Sequence, residues 1–126
     1  MNPVTATLIR QVDDKKIVRF VEQWDELEAL VIRVYKTARA TPDDLKLYAK
    51  LKPALLKQLD RYGAALDAYW PEATVGGKPA ARSPFDVLMG HSTAADFVGN
   101  WPAMQHLPAA RQAINEWLLD KLRGTA

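Results

Sequence analysis

Residues 14–39 read DKKIVRFVEQWDELEALVIRVYKTAR, and the spacing of their apolar side chains decides the fold. Ile17, Phe20, Trp24, Leu27, Val31, Val34 and Ala38 recur at alternating intervals of three and four. A helix turns about 100° per residue, so these side chains share one stripe, the seam of a helical bundle or coiled coil. A second apolar row, Val18, Val21 and Ile32, lies a quarter turn or more away. It predicts that this helix meets more than one neighbour. Asp25 and Glu28 fall between members of that row, as in an interface with a polar component. Val18, Val21 and Ile32 are therefore the candidate surface for a protein partner or for self-association, for instance as a homodimer.

Asp13 or Asp14 opens this helix as a cap. Its acids Glu22, Asp25, Glu26 and Glu28 precede Arg33, Lys36 and Arg39, in the order that complements the helix dipole. Lys15 and Lys16 run against it. Thr41-Pro42-Asp43-Asp44 then supplies a cap, a first-turn proline and two acids for a second helix, after a turn short enough to make the two helices antiparallel. Tyr48, Leu51, Leu55, Leu59, Tyr62, Leu66 and Tyr69 form its apolar face. Pro53 removes a donor and predicts a kink or break near Lys52; Gly63 weakens the helix and leaves room for a close neighbour.

Residues 71–83 hold two glycines, two prolines and no periodicity, which reads as a flexible surface loop. Ser83-Pro84-Phe85-Asp86 repeats the capping logic, and Gly90 can end that short helix. Ser92 or Thr93 caps another short piece, with Gly99 after it. Phe85, Val87, Leu88, Met89, Phe97, Val98 and Trp101 make this stretch an apolar lid. Pro102 can start a further turn, and a closing helix runs from Pro108 to about Arg123. Arg111 lies close to that helix's core face, where its head is expected to reach water; an ion pair with Glu28 or Asp96 is the alternative. The expected fold is all-α. It is a single domain spanning residues 1–126, a four-helix-like bundle with residues 1–13 as a loose arm or a short docked strand.

Charge and composition narrow the function. The chain has 17 Lys and Arg against 15 Asp and Glu, a formal charge of +2, which forces neither a nucleic-acid nor a membrane reading. No cysteine is present, excluding disulfides and thiolate-held metals. No run approaches the roughly 18 apolar residues of a membrane span. A cytoplasmic protein without a membrane partner is expected.

Catalytic signatures are missing. His91 and His106 make no metal-binding spacing; His91 with Asp86 and Asp96 is better read as turn and capping chemistry. Gly90-His91-Ser92 lacks a nucleophile elbow, and Gly76-Gly77-Lys78-Pro79 lacks the phosphate-loop spacing. No cofactor is implied, and the expectation leans away from an enzyme. Three functions remain, led by a non-enzymatic interaction or assembly role. The second is nucleic-acid binding through Lys46, Lys50, Lys57 and Arg61, one basic stripe of the second helix that Lys78 and Arg82 could extend. The third is a small-molecule or metal site under the lid, lined by Tyr69, Trp70, His91, Asp96 and Trp101. Trp24 and Trp117 belong to the core.

Overall fold

The computed structural model describes residues 1–72 and 74–124, and they are all-α. Among them are five α-helices: α1 (Pro3–Ile9), α2 (Lys15–Thr37), α3 (Pro42–Leu66), α4 (Pro84–Met89) and α5 (Trp101–Leu122). The caps read from sequence close as expected. Asp14 Oδ1 accepts from the Lys16 and Ile17 amides at 3.0 and 3.2 Å. Thr41 and Asp44 form a reciprocal capping box at the start of α3. Ala38, in the left-handed region at φ 57°, ends α2.

Opposite chain direction in α2 and α3 follows from their cross-contacts. Arg33 pairs with Asp44 near the turn, while Gln58 Nε2 donates to Gln23 Oε1 far from it. The seam Ile17, Phe20, Trp24, Leu27, Val31 and Val34 is buried, and Ala38 is left outside. Phe20, Tyr62 and Trp117 meet ring to ring at 5.2–6.2 Å, fastening α2, α3 and α5 together. Burying such large rings is the main favourable term for a core of this size.

Four local expectations change. Residues 3–9 form a helix docked on α5, where a loose arm or strand was expected. Asn2 caps it, and its buried Thr5 and Leu8 face the core. Two turns of helix are marginal alone, so docking is what holds them. Second, α3 passes through Pro53 without a break. Nothing lies within 4 Å of a Cβ built at Gly63, so that glycine accommodates no close neighbour. Third, α5 begins seven residues before Pro108, capped by Asn100 with Pro102 in its first turn. Fourth, residues 71–83 contain a helical turn (Trp70–Glu72) and a ribbon of β1 (Thr74–Val75) with β2 (Lys78–Pro79); residue 73 lies outside the described residues. Gly76 and Gly77 turn the ribbon at φ 60° and 80°, conformations suited to glycine in a two-residue hairpin. The ribbon's first strand packs on α5.

The stretch read as a lid is instead a wedge in the core. Phe85, Leu88 and Met89 of α4 are buried, and Phe85 meets Trp24 edge-on at 4.9 Å. The turn Ala94–Phe97 buries Phe97 against Tyr48 at 5.4 Å and packs on α2 and α3. Thr93 caps it with Asp96 as its box partner, whereas Ser83 makes no side-chain capping bond.

Candidate nucleic-acid interface

Lys46, Lys50, Lys57 and Arg61 are all exposed on α3. Rising about 1.5 Å per residue, the row extends roughly 22 Å along the helix. Asp60, next to Arg61 in sequence, stands about 60° round the axis from Lys57. The antiparallel register brings two further cations to the row. Lys16 and Arg19 of α2 face Lys57 and Arg61 across a groove of about 270 Å³. Gln23, Ala54, Gln58 and Tyr62 complete its lining, with no acid among them.

The groove's lining carries positive charge only, although Arg19 also borders Asp13, Asp14 and Glu22 on its other side. The ion pairs among the described residues join Arg33 to Asp44, Arg111 to Asp25 and Glu28, and the Met1 amine to Asp25. None involves Lys16, Arg19, Lys46, Lys50, Lys57 or Arg61. At the groove floor the Gln23–Gln58 bond ties the two helices, and Gln58 Oε1 is buried without a donor. Lys16 and Arg19 were missed as partners of the stripe because their proximity depends on the α2–α3 register. Their own spacing of three was the available signal.

The apolar row on α2 is only partly covered within the chain. Val21 is fully buried, and Val18 and Ile32 are half-buried. Asp25 and Glu28, which cross that row, turn toward Arg111 of α5. Arg111 is only 6% exposed, so its head does not reach water as expected. Its Nε and one terminal nitrogen donate to Glu28 Oε2 at 3.1 and 3.0 Å, and its other terminal nitrogen donates to the Thr5 hydroxyl at 3.3 Å. Thr5 in turn donates to Asn115 Oδ1 at 2.6 Å. The sequence points to Glu28 as one candidate partner, whereas Thr5 and Asp25 meet Arg111 only through the docking of α1 and α2 on α5.

The five residues proposed for a lid pocket are not brought together. Tyr69 donates to Asp120 near the C-terminal end of α5, and Trp70 Nε1 donates to Asp67. Trp101 starts α5, nineteen residues before Asp120 and so roughly 28 Å along the axis. It is 54% exposed and lies against Tyr35, ring centres 5.9 Å apart. Asp96 accepts from the Ser92 and Thr93 amides at 2.9 and 3.1 Å; those bonds hold its carboxyl below the usual range. His91 sets its ring on Phe97 at 4.8 Å, with Nε2 buried and unpartnered. Burial, aided by Lys52 and opposed by Asp96, lowers its pKa. The His91 carbonyl accepts from the Tyr48 hydroxyl and Lys52 Nζ at 2.9 and 2.6 Å. Burial, with Asp96 adding and the His91 bond opposing, pushes the Tyr48 phenol up to about 12.

Among the described residues no group of three or more His, Cys, Asp or Glu is placed to hold a metal. Nor is any described helix long and apolar enough to cross a membrane. Comparison with protein-family models, curated proteins and solved structures finds no match.

Proposed function

We propose that this protein is a non-enzymatic nucleic-acid-binding module whose α2–α3 face holds the phosphate backbone. One observation carries the reading: Lys16, Arg19, Lys57 and Arg61 line one acid-free groove, continued along α3 by Lys50 and Lys46. Like charges packed this closely repel, and a polyanion relieves that repulsion while releasing its own counterions. A row some 22 Å long suits a linear chain of phosphates better than a single small anion. The side chains are long and exposed, which favours backbone contacts without base readout. Gathering six cations here also leaves the rest of the surface net acidic, so the small total charge is compatible with a local basic face.

Fluorescence anisotropy with labelled single- and double-stranded 20-mers at about 50 mM salt tests the proposal. Wild type should bind in the range of roughly 10⁻⁶–10⁻⁴ M, and Lys57→Glu with Arg61→Glu should weaken binding about ten-fold or more. Absence of wild-type binding would remove the reading. Tighter binding to anionic vesicles than to either oligonucleotide would assign the face to a lipid surface instead.

Protein association is the second reading, favoured by Trp101. An exposed tryptophan resting on a tyrosine, with exposed Val98 nearby in sequence, has the chemistry of an interface anchor. Light scattering should then show a concentration-dependent mass that Trp101→Ala reduces to the monomer.

A further inference from the structure

A second concave site lies on another part of the molecule, walled by α2, α5 and the Asn2 cap of α1. Its volume is about 540 Å³, within the range that accepts a small organic ligand. Ile32, Met104, Leu107 and Pro108 supply an apolar surface, and Glu28, Arg111 and Glu116 supply charge. The cleft and the basic groove share no lining residue.

The hydrogen bonds already made here determine what the cleft has left to offer. Arg111 is an unsuitable anion receptor, because Glu28 Oε2, Asp25 and the Thr5 hydroxyl already surround it. Gln112 Nε2 donates to Glu116 Oε1 at 3.1 Å. Asn2 Oδ1 accepts from the Val4 and Thr5 amides, and Asn115 Oδ1 accepts from Thr5. The free capacity is mixed: the Asn2 and Asn115 amide nitrogens make no hydrogen bond among the described residues and remain as donors, beside carboxylate oxygens that remain as charged acceptors. The contacts of Glu28 all fall on Oε2, which leaves Oε1. Glu116 retains Oε2 in the same way. Pro108 has no N–H for the carbonyl of Met104, one turn earlier on the same wall. Two carboxylates against one guanidinium give the lining a net charge of −1.

We propose that this cleft binds a small organic amine. The ammonium group is held by free carboxylate oxygens of Glu28 and Glu116, and an aromatic or aliphatic body rests on Ile32, Met104 and Leu107. The apolar wall limits the body to a compact group, and the hydrogen bond from buried Arg111 fixes the Glu28 carboxylate in place before any ligand arrives.

Three probes of similar size separate charge from apolar fit: 2-phenylethylamine, 2-phenylethanol and 3-phenylpropionate. Each is titrated into the full chain while amide shifts are followed by NMR. The amine should saturate shifts at Ile32, Leu107 and Gln112, and bind at least about ten-fold more tightly than either other probe, as a charge-assisted hydrogen bond requires. Glu116→Gln should weaken the amine about five-fold or more without altering helicity, since the hydrogen bond of Glu116 to Gln112 lies at the exposed rim and the amide can keep it. Met104→Trp should fill the cleft and abolish the shifts while leaving polyanion binding intact. The proposal is overturned by equal affinity for the three probes, by tighter carboxylate binding, or by no saturable shifts at roughly 5 mM amine. Undiminished amine binding in both variants overturns it as well.

Discussion

Arg111 brings a positive charge into the core side of α5, where Glu28, Asp25 and the Thr5 hydroxyl surround it. Removing it strands Glu28 and leaves Thr5 without a donor. Arg111→Ala should lower unfolding free energy by about 2–3 kcal/mol, less than breaking a fully buried pair because Glu28 stays partly exposed. Urea denaturation followed by circular dichroism measures this. Arg111→Met with Glu28→Leu should recover most of the loss, because apolar groups need no partner there. His91 makes a different demand. Its ordinary pKa is 6.5 and burial lowers it in the fold. The unfolded chain therefore takes up a proton that the folded chain refuses, and stability falls as pH drops through about 6.5. Thermal unfolding between pH 7.5 and 5 should show this slope in wild type and a shallower one in His91→Gln. The Phe97 contact makes some loss of stability at neutral pH expected, so the slope is the diagnostic quantity.

At the scale of elements, the sequence was most legible where signals are local. Asp14 and Thr41 reach amides two or three residues away, and the seam of α2 needs only helical periodicity. Longer-range signals were harder to read. Pro108 looks like a helix start, yet Asn100 and Pro102 carry the same start signal and tertiary packing carries α5 through Pro108. Docking of α1 depends on Thr5 meeting Asn115, 110 positions away. The stripe on α3 was readable as a stripe, but the opposing Lys16 and Arg19 required the register of two helices. Because α3 runs unbroken, two exchanges should strengthen it. Gly63→Ala has open space for its methyl group and should stabilise by about 1 kcal/mol. Exposed Pro53→Ala should add about 2 kcal/mol, an interior proline penalty of ~3 relieved less the ~1 lost by loosening the unfolded chain. Unchanged midpoints for both in chemical denaturation would mean that α3 bends or opens at these positions.

For the whole molecule, charge is distributed unevenly: a crowded basic face on α2–α3, and carboxylates gathered at α2–α5 around Arg111. Exposed cations that share one groove repel one another weakly through solvent. Arg61→Glu, placed opposite Lys16 and Arg19, should therefore raise the unfolding free energy by up to about 1 kcal/mol while weakening polyanion binding. Opposite signs for stability and affinity distinguish a binding face from a merely solvated one. The most direct measurement is the salt dependence of oligonucleotide affinity for wild type and for Lys57→Glu with Arg61→Glu. With four to six phosphates engaged, log affinity for duplex should fall against log salt with a slope of about −4 to −5 in wild type. The double variant should show a slope nearer −2 to −3 wherever binding is still detectable. A wild-type slope near zero, or an identical slope and affinity in the variant, would contradict the assignment of the α2–α3 face to nucleic acid.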